Sequence, residues 1–282
     1  MNPDQDATTI DGICEVAEAA AVAAGEILKS HAGRHLRVDE THHHDLKLEV
    51  DRLCEQAVVE SIRSRFPQHG ILAEERGGSP DDSEYYWIID PLDGTVNYFH
   101  GLPYYCCSVA CYRPPAPAER NTPLPRDVST LGRPVAAVVF APATDELFCA
   151  RAGGGATRNG HRIQASEATS LDESMICMGF GKTTARGRLL VENLYRLAEK
   201  VRKLRCMGAA AYDICNVAAG RLTGFVEKGL RSWDIAAGRL ILEEAGGRFT
   251  AEEYAEGIWS VLATAPGIHD ALAAELAPSN PD

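Results

Sequence analysis

The stretch 87–95, Trp-Ile-Ile-Asp-Pro-Leu-Asp-Gly-Thr, restricts this chain more than any other. The apolar run 85–89 reads as a short buried strand, and it ends on an acid, Asp90. Pro91 has no N–H to give to a sheet ladder, so the strand is expected to stop there. A second acid, Asp93, follows, and then Gly94 and Thr95. Two carboxylates leaving one strand end can converge on a hard cation such as Mg2+, which takes oxygen ligands and keeps waters and phosphate oxygens in its shell. Gly94 lets the backbone approach a ligand, and Thr95 can open a helix whose free N–H groups attract a phosphate. The competing explanation is an acidic turn, since Asp-Pro-x-Asp-Gly is good turn chemistry.

With 282 residues, 45% hydrophobic and 24% charged, the chain is expected to form one large domain or two intimate halves around a sizeable core. A net charge of -12 argues against nucleic acid or an anionic membrane as the main partner. An acidic protein that binds phosphate esters needs metal cations to do so. The nine cysteines are odd in number, scattered through apolar stretches and free of any C-x-x-C pair, which suits buried, reduced thiols in a cytoplasm. Residues 1–9 lack the pattern of a signal peptide, and the Ala-rich run 17–24 is too short to span a membrane.

Along the chain, residues 1–8 are expected to be a disordered tail. Ile10, Ile13, Ala17, Ala20, Ala24, Ile27 and Leu28 keep helical spacing with Gly33 as a stop, and 50–66 gives a second helix halted by Pro67. Between them, His42, His43 and His44 read as solvated surface, because consecutive loop residues rarely face one ion. Asp45 and Asp51 flank the start of helix two, where acids suit the helix dipole. Residues 70–75 form a short strand ending on Glu74 and Glu75, and 77–82 looks mobile. Residues 107–112 make a strand. Segment 113–134 holds six of the fifteen prolines and reads as a loop or linker. Strands follow at 135–140 and 146–150. Gly153, Gly154 and Gly155 lack the Lys-Ser/Thr of a phosphate loop and read as a hairpin turn, with Asn159-Gly160 a second. Then come a strand at 175–180, a periodic helix from Leu190 to Leu204, an apolar helix at 209–219 and a strand at 224–228. Asp234 sits where an N-cap belongs, ahead of a helix through Glu244. A strand at 258–263 and a helix at 268–276 finish the chain. Strands and helices mix without regular alternation, so layered α/β with mixed sheets is expected.

If the strands before Glu74 and Asp90 pair, then Glu74, Asp90 and Asp93 share one mouth. Asp234 needs the tertiary fold to join them. The set resembles the inositol monophosphatase family, the Mg2+-dependent, lithium-sensitive sugar-phosphate phosphatases. Its first signature stands at 87–95, continued by Asn97-Tyr98, and its second, Trp-Asp-x-Ala-Ala-Gly before an apolar helix and Gly-Gly, at 233–247. Phe66-Pro67-x-His69, Glu74-Glu75, Gly155-Ala156-x-x-Asn159-Gly160 and Gly208-Ala209-Ala210-Ala211 also match, so the likeness covers about residues 10–275.

The resemblance implies a five-layer αβαβα sandwich at 9–278, with an N-terminal half of about 9–150 and a C-terminal half of about 151–278, and a homodimer. It implies two or three Mg2+ ions on Glu74, Asp90, Asp93, Asp234 and the Leu92 carbonyl. Such ions polarise a phosphoryl group, activate water and stabilise the leaving oxygen. It implies that Thr95, paired with Asp51, orients the attacking water, which Glu74 also holds. The amides of Gly94 and Thr95 would take phosphate oxygens. Asp93, Asp234, Gly208, Ala210 and Glu227 would complete the substrate contacts. There are departures: Leu48 stands where the family has Thr, Ala209 where Ser or Thr is usual, Thr223 where Asp is common, and 113–134 is long. None is an expected metal ligand. The expected activity is hydrolysis of a small polyol phosphate, foremost inositol 1-phosphate. Fructose 1,6-bisphosphate, histidinol phosphate and a nucleotide 3'-phosphate stay open as substrates. So does a catalytically silent relative that binds metal or a partner.

Overall fold

The computed structural model describes residues 3–33, 38–42, 45–79, 83–116, 123–179 and 187–276. The chain begins with α1 (Pro3–His31), β1 (Val38–His42), β2 (Asp45–Leu48), α2 (Glu49–Arg65), β3 (Gly70–Ala73) and β4 (Gly77–Ser79). It continues with β5 (Tyr86–Asp93), α3 (Thr95–Phe99), β6 (Cys106–Arg113), β7 (Arg126–Asp127), a 3-10 turn (Val128–Leu131), β8 (Arg133–Ala141) and β9 (Glu146–Arg151). Next are β10 (Gly155–Arg158), β11 (His161–Arg162), β12 (Met175–Met178), α4 (Gly187–Ala198), β13 (Lys203–Arg205) and α5 (Ala210–Ala218). Last come β14 (Gly224–Leu230), α6 (Ser232–Glu244), β15 (Arg248–Ala255), β16 (Ile258–Thr264), a 3-10 turn (Pro266–Ile268) and α7 (His269–Glu275).

Two mixed sheets result. One has the order β11-β10-β9-β8-β6-β5-β3-β4, the other β13-β12-β14-β16-β15-β7. Alternation along the strands sets the layers. Trp87 and Ile89 of β5 face α1 and α2, against Ile13, Ala20, Leu28, Cys54, Val58 and Ile62. Tyr86 and Ile88 face the other way, against α5 and α6, whose far sides meet Phe225, Trp259 and Val261 of the second sheet. Ile176, Met178, Val226 and Leu262 then pack against Leu197 and Leu272 of α4 and α7. The order of layers is αβαβα, as expected. Because β5 is buried on both faces it reads as a continuous apolar run rather than an alternating one. Ile88 and Ile89, each about 1.5–3 kcal/mol when fully buried, fasten the same strand to two different layers.

Several expectations fail for local reasons. The first helix already starts at Pro3, a residue preorganised for a first helical turn, so 3–8 is not a disordered tail. Strand β5 does not stop at Pro91 but runs on to Asp93 through a register shift. Of the stretch 77–82, residues 77–79 pair with β3 as an edge strand, and 80–82 lie outside the described residues. His43 and His44 also lie outside them, and His42 closes β1. The proline-rich segment contains β7, which pairs with β15, so it crosses from one sheet to the other. The helix expected to reach Leu204 ends at Ala198, and Leu204 belongs to β13, parallel to β12.

Candidate active site

Strands β3 and β5 run parallel with Ala73 beside Ile89, so the next residues, Glu74 and Asp90, leave the sheet together. The Glu74 amide bonds the Ile89 carbonyl at 3.2 Å. On a regular strand Asp90 and Asp93 would point to opposite faces, being an odd number of residues apart. Here Asp90 lies opposite Ser108 and Asp93 opposite Cys106, so Pro91 and Leu92 share the place of one partner residue. That bulge turns Asp93 to the side of Asp90. It also explains how Pro91 can stand within a central strand.

Gly94 follows at φ +90°, a conformation that favours glycine, and caps α3. A Cβ there would come within 2.9 Å of the Tyr104 carbonyl. The Thr95 hydroxyl donates to the Leu92 carbonyl at 2.9 Å, the oxygen that the resemblance gives to a metal. Asp93 Oδ2 accepts the Ala211 amide at 2.7 Å, at the first turn of α5.

Asp234 arrives on α6. It is not the N-cap; Arg231 is, and Asp234 sits three residues further on, with Oδ2 accepting the Arg231 amide at 2.7 Å. Asp51 stands in the same relation to α2, accepting the Leu48 amide at 2.7 Å. Leu48 has no side-chain oxygen to cap the helix, so the acid reaches back to serve that N–H. Asp45 belongs to β2 and does not flank the helix start directly. Tyr112 holds α6 down by donating to the Ala236 carbonyl at 2.9 Å, which keeps Asp234 beside β6.

Four carboxylates therefore face one another. Asp90 is 2% exposed, and burial pushes its pKa well above the usual carboxylate range; the charges of Glu74, Asp93 and Asp234 push the same way. Its carboxyl also shares a hydrogen bond with Glu74. Burial, and then the Asp234 charge, push Asp93 up to about 7. Among the described residues no three His, Cys, Asp or Glu side chains converge tightly enough to hold a metal ion as they stand. The donor set is nonetheless all oxygen, the chemistry a hard divalent cation takes.

The expected substrate contacts lie on the other half. Gly208 touches Asn97, whose side-chain amide donates to the carbonyls of Tyr104 (2.9 Å) and Met207 (2.8 Å). The amide of Ala210 bonds Asp93 beside that of Ala211. Glu227 is on β14, its carboxylate folded over the Cα of Gly179.

Sequence reasoning missed Asp213 and Tyr104. Asp213 is 1% exposed, and burial pushes its pKa up to about 7 while bonds from Tyr104 and Cys177 hold it down. The available signal was an acid within a helix buried all round.

The model of the inositol monophosphatase family matches residues 10–118 and 128–280. A fructose-1,6-bisphosphatase/inositol-1-monophosphatase of Aquifex aeolicus is 34% identical over 259 residues, 91% of this chain and 92% of its own. The Nus factor SuhB of Pseudomonas aeruginosa is 38% identical over 82% of each chain. The solved inositol monophosphatase of Anabaena is similar with a TM-score of 0.78, at 35% identity, covering 95% of this chain and 96% of that one. With both signatures at the carboxylate mouth and a match along nearly its whole length, the chain belongs to the inositol monophosphatase family, whose members are phosphatases that generally depend on Mg2+.

Proposed function

We propose that this protein hydrolyses a small polyol phosphate monoester, foremost inositol 1-phosphate, with two or three Mg2+ ions. The observation that carries the reading is the meeting of Glu74, Asp90, Asp93 and Asp234 at one strand mouth. Burial first, and then the charges of the other three, raise the pKa of Asp90, and a divalent cation would offset both. Glu74, Asp90, Asp93, Asp234 and the Leu92 carbonyl would hold the ions. When bound, the ions polarise the phosphoryl group and lower the pKa of water.

The chain's own residues do the rest. Thr95, paired with Asp51 by the family resemblance, orients the attacking water, and Glu74 holds it from β3. The Gly94 and Thr95 amides, at the mouth of α3, receive phosphate oxygens. Gly208, Ala210 and Glu227 receive the hydroxyl groups of the alcohol. Burial raises both Asp90 and Asp93, and the value of about 7 for Asp93 favours its partial protonation near neutral pH, which a bound cation would oppose. A homodimer in the cytoplasm completes the reading.

The test is phosphate release from inositol 1-phosphate, fructose 1,6-bisphosphate, histidinol phosphate and adenosine 3',5'-bisphosphate, with and without Mg2+. Mg2+-dependent release, fastest from inositol 1-phosphate, supports the proposal. Folded protein that releases phosphate from none of them overturns it. The relatives named Nus factor favour a second reading, a binding protein that is silent as a phosphatase. That last outcome is the one it expects.

A further inference from the structure

The mouth described above is assembled from two halves of the chain. Gly94, Thr95 and Asn97 belong to the first sheet's side, while Met207 to Ala211 lead into α5 on the other. One side-chain amide bridges them, since Asn97 Nδ2 donates to the carbonyls of both Tyr104 and Met207. Three segments meet around Gly94: a Cβ there would lie 2.9 Å from the Tyr104 carbonyl and 3.2 Å from the Ala209 methyl group. Any movement of Tyr104 therefore moves the wall between the phosphate turn and the 208–210 backbone.

Tyr104 is fixed by its side chain. Its hydroxyl donates to Asp213 Oδ1 at 2.6 Å and accepts from Asn216 Nδ2 at 3.1 Å. Its ring packs on Tyr212 with centroids 4.6 Å apart. Both hydrogen-bond partners and the stacking partner lie on α5, the helix whose first turn bonds Asp93. Asp213 is the one carboxylate in a fully buried helix whose other polar side chains are Asn216 and the Tyr212 hydroxyl. A residue of that kind is costly to bury, and an apolar one of similar volume would stabilise the helix at least as well. Its use is explained if a hydrogen bond of fixed length and direction is what matters at this spot.

We infer that Asp213, acting through the Tyr104 hydroxyl, is a positioning residue that sets the 208–210 backbone against the Gly94–Asn97 turn and so tunes recognition of the alcohol part of the substrate. The inference rests on the phosphomonoesterase reading above. It assigns to Tyr104 and Asp213 no contact with the phosphate and no part in proton transfer. The bond acts on the spacing between two binding surfaces. A substrate that uses both surfaces feels it, and one that uses the phosphate turn alone feels it less.

The experiment compares two esters on the full-length protein with Mg2+. Inositol 1-phosphate offers a polyol, and p-nitrophenyl phosphate offers none. Tyr104→Phe keeps the ring on Tyr212 and removes only the hydroxyl, so folding is retained. The expected result is a fall of about tenfold, the scale of one lost hydrogen bond, in the ratio of kcat/KM for inositol 1-phosphate to that for p-nitrophenyl phosphate. The change should lie in KM for inositol 1-phosphate. Asp213→Asn, which still offers Oδ1 to the tyrosine, should restore most of the ratio, and Asp213→Ala should not. An unchanged ratio in Tyr104→Phe, whether or not both rates fall together, overturns the inference. Wild-type protein that turns over neither ester overturns the phosphomonoesterase reading instead. Calorimetric binding of inositol 1-phosphate in Mg2+ then decides: weaker binding by Tyr104→Phe supports the positioning role, and equal or absent binding ends it.

Discussion

The Asp93 carboxylate accepts the Ala211 backbone N–H at 2.7 Å, joining the bulge of β5 to the first turn of α5. The same side chain stands in the field of Asp234. Asp93→Asn keeps an oxygen for the Ala211 amide and removes the charge. Turnover with Mg2+ is expected to fall by about 10³-fold, the scale of losing one main electrostatic stabiliser. Stability should move the other way. In EDTA the variant relieves like-charge repulsion, so its Tm should rise, by about 2–4 °C per kcal/mol relieved in a chain of this size. Mg2+ should raise the Tm of the wild type and leave the variant nearly unmoved, because only binding to the folded state stabilises it. Unchanged turnover would remove Asp93 from the metal set.

Glycine 179 gives a second handle. A Cβ at this position would lie 1.7 Å from one oxygen of Glu227. The carboxylate is the end of a flexible chain and can swing away, so Gly179→Ala should fold. Its displaced Glu227 should no longer reach the substrate. KM for inositol 1-phosphate should rise by about tenfold, with kcat within about twofold, the pattern of lost uniform binding. A drop in kcat at constant KM would place Glu227 elsewhere in the reaction.

Much of this site was legible because its parts are local. An apolar strand buried on both faces, two acids, a glycine at positive φ and a helix start all lie within 87–95, and each has a sequence signal. The bulge was not legible. Pro91 signals the end of a ladder, and only the pairing with Ser108 and Cys106 shows that the strand resumes. Strand β15 was missed because its inward positions are Phe249, Ala251 and Glu253, and the acid among them breaks the apolar alternation. Glu253 is tolerated inside because Arg126, from the proline-rich crossing, meets it at 3.2 Å. That partner is distant in sequence, as Tyr104 is from Asp213.

Glu146 anchors a polar cluster away from the carboxylate mouth. It accepts the Tyr212 hydroxyl at 2.6 Å, pairs with both outer nitrogens of Arg221, and has Arg158 at 3.5 Å. Arg221 chiefly holds the Glu146 pKa below its ordinary value. Glu146→Gln is expected to cost about 1–3 kcal/mol at pH 7, the worth of hydrogen bonds to a charged group. A depressed carboxylate stabilises the fold above its unfolded pKa, and that contribution is lost as pH falls through the folded value. The gap between wild type and variant in urea unfolding should therefore close as pH falls below the ordinary value of 4.5 and through the lowered folded one. A gap that persists unchanged at low pH would mean that shape, not charge, sustains the cluster.

His69 adds a base whose contribution is likewise lost on acidification, but in a higher pH window. Its Nδ1 accepts the Trp87 indole N–H at 3.1 Å, and its ring stacks on Phe66 with centroids 4.6 Å apart. Burial, and then the Arg63 charge, lower its pKa to about 4. A protonated imidazole has no lone pair for the indole, so the folded protein holds the neutral form. The unfolded chain binds a proton near the ordinary value of 6.5. Between those two values the unfolded state carries more protons, so stability rises with pH across that window and is fully present above it. The ring is partly exposed, and solvent screening reduces the effect to about 1–2 kcal/mol. His69→Gln supplies a neutral acceptor that does not titrate, so its urea midpoint should change less than that of the wild type between pH 7 and pH 5. Trp87 is part of the strand that carries Asp90, so the wild type should also lose Trp fluorescence homogeneity first in this pH range. Parallel pH dependence in the two proteins would assign the acid sensitivity to other groups.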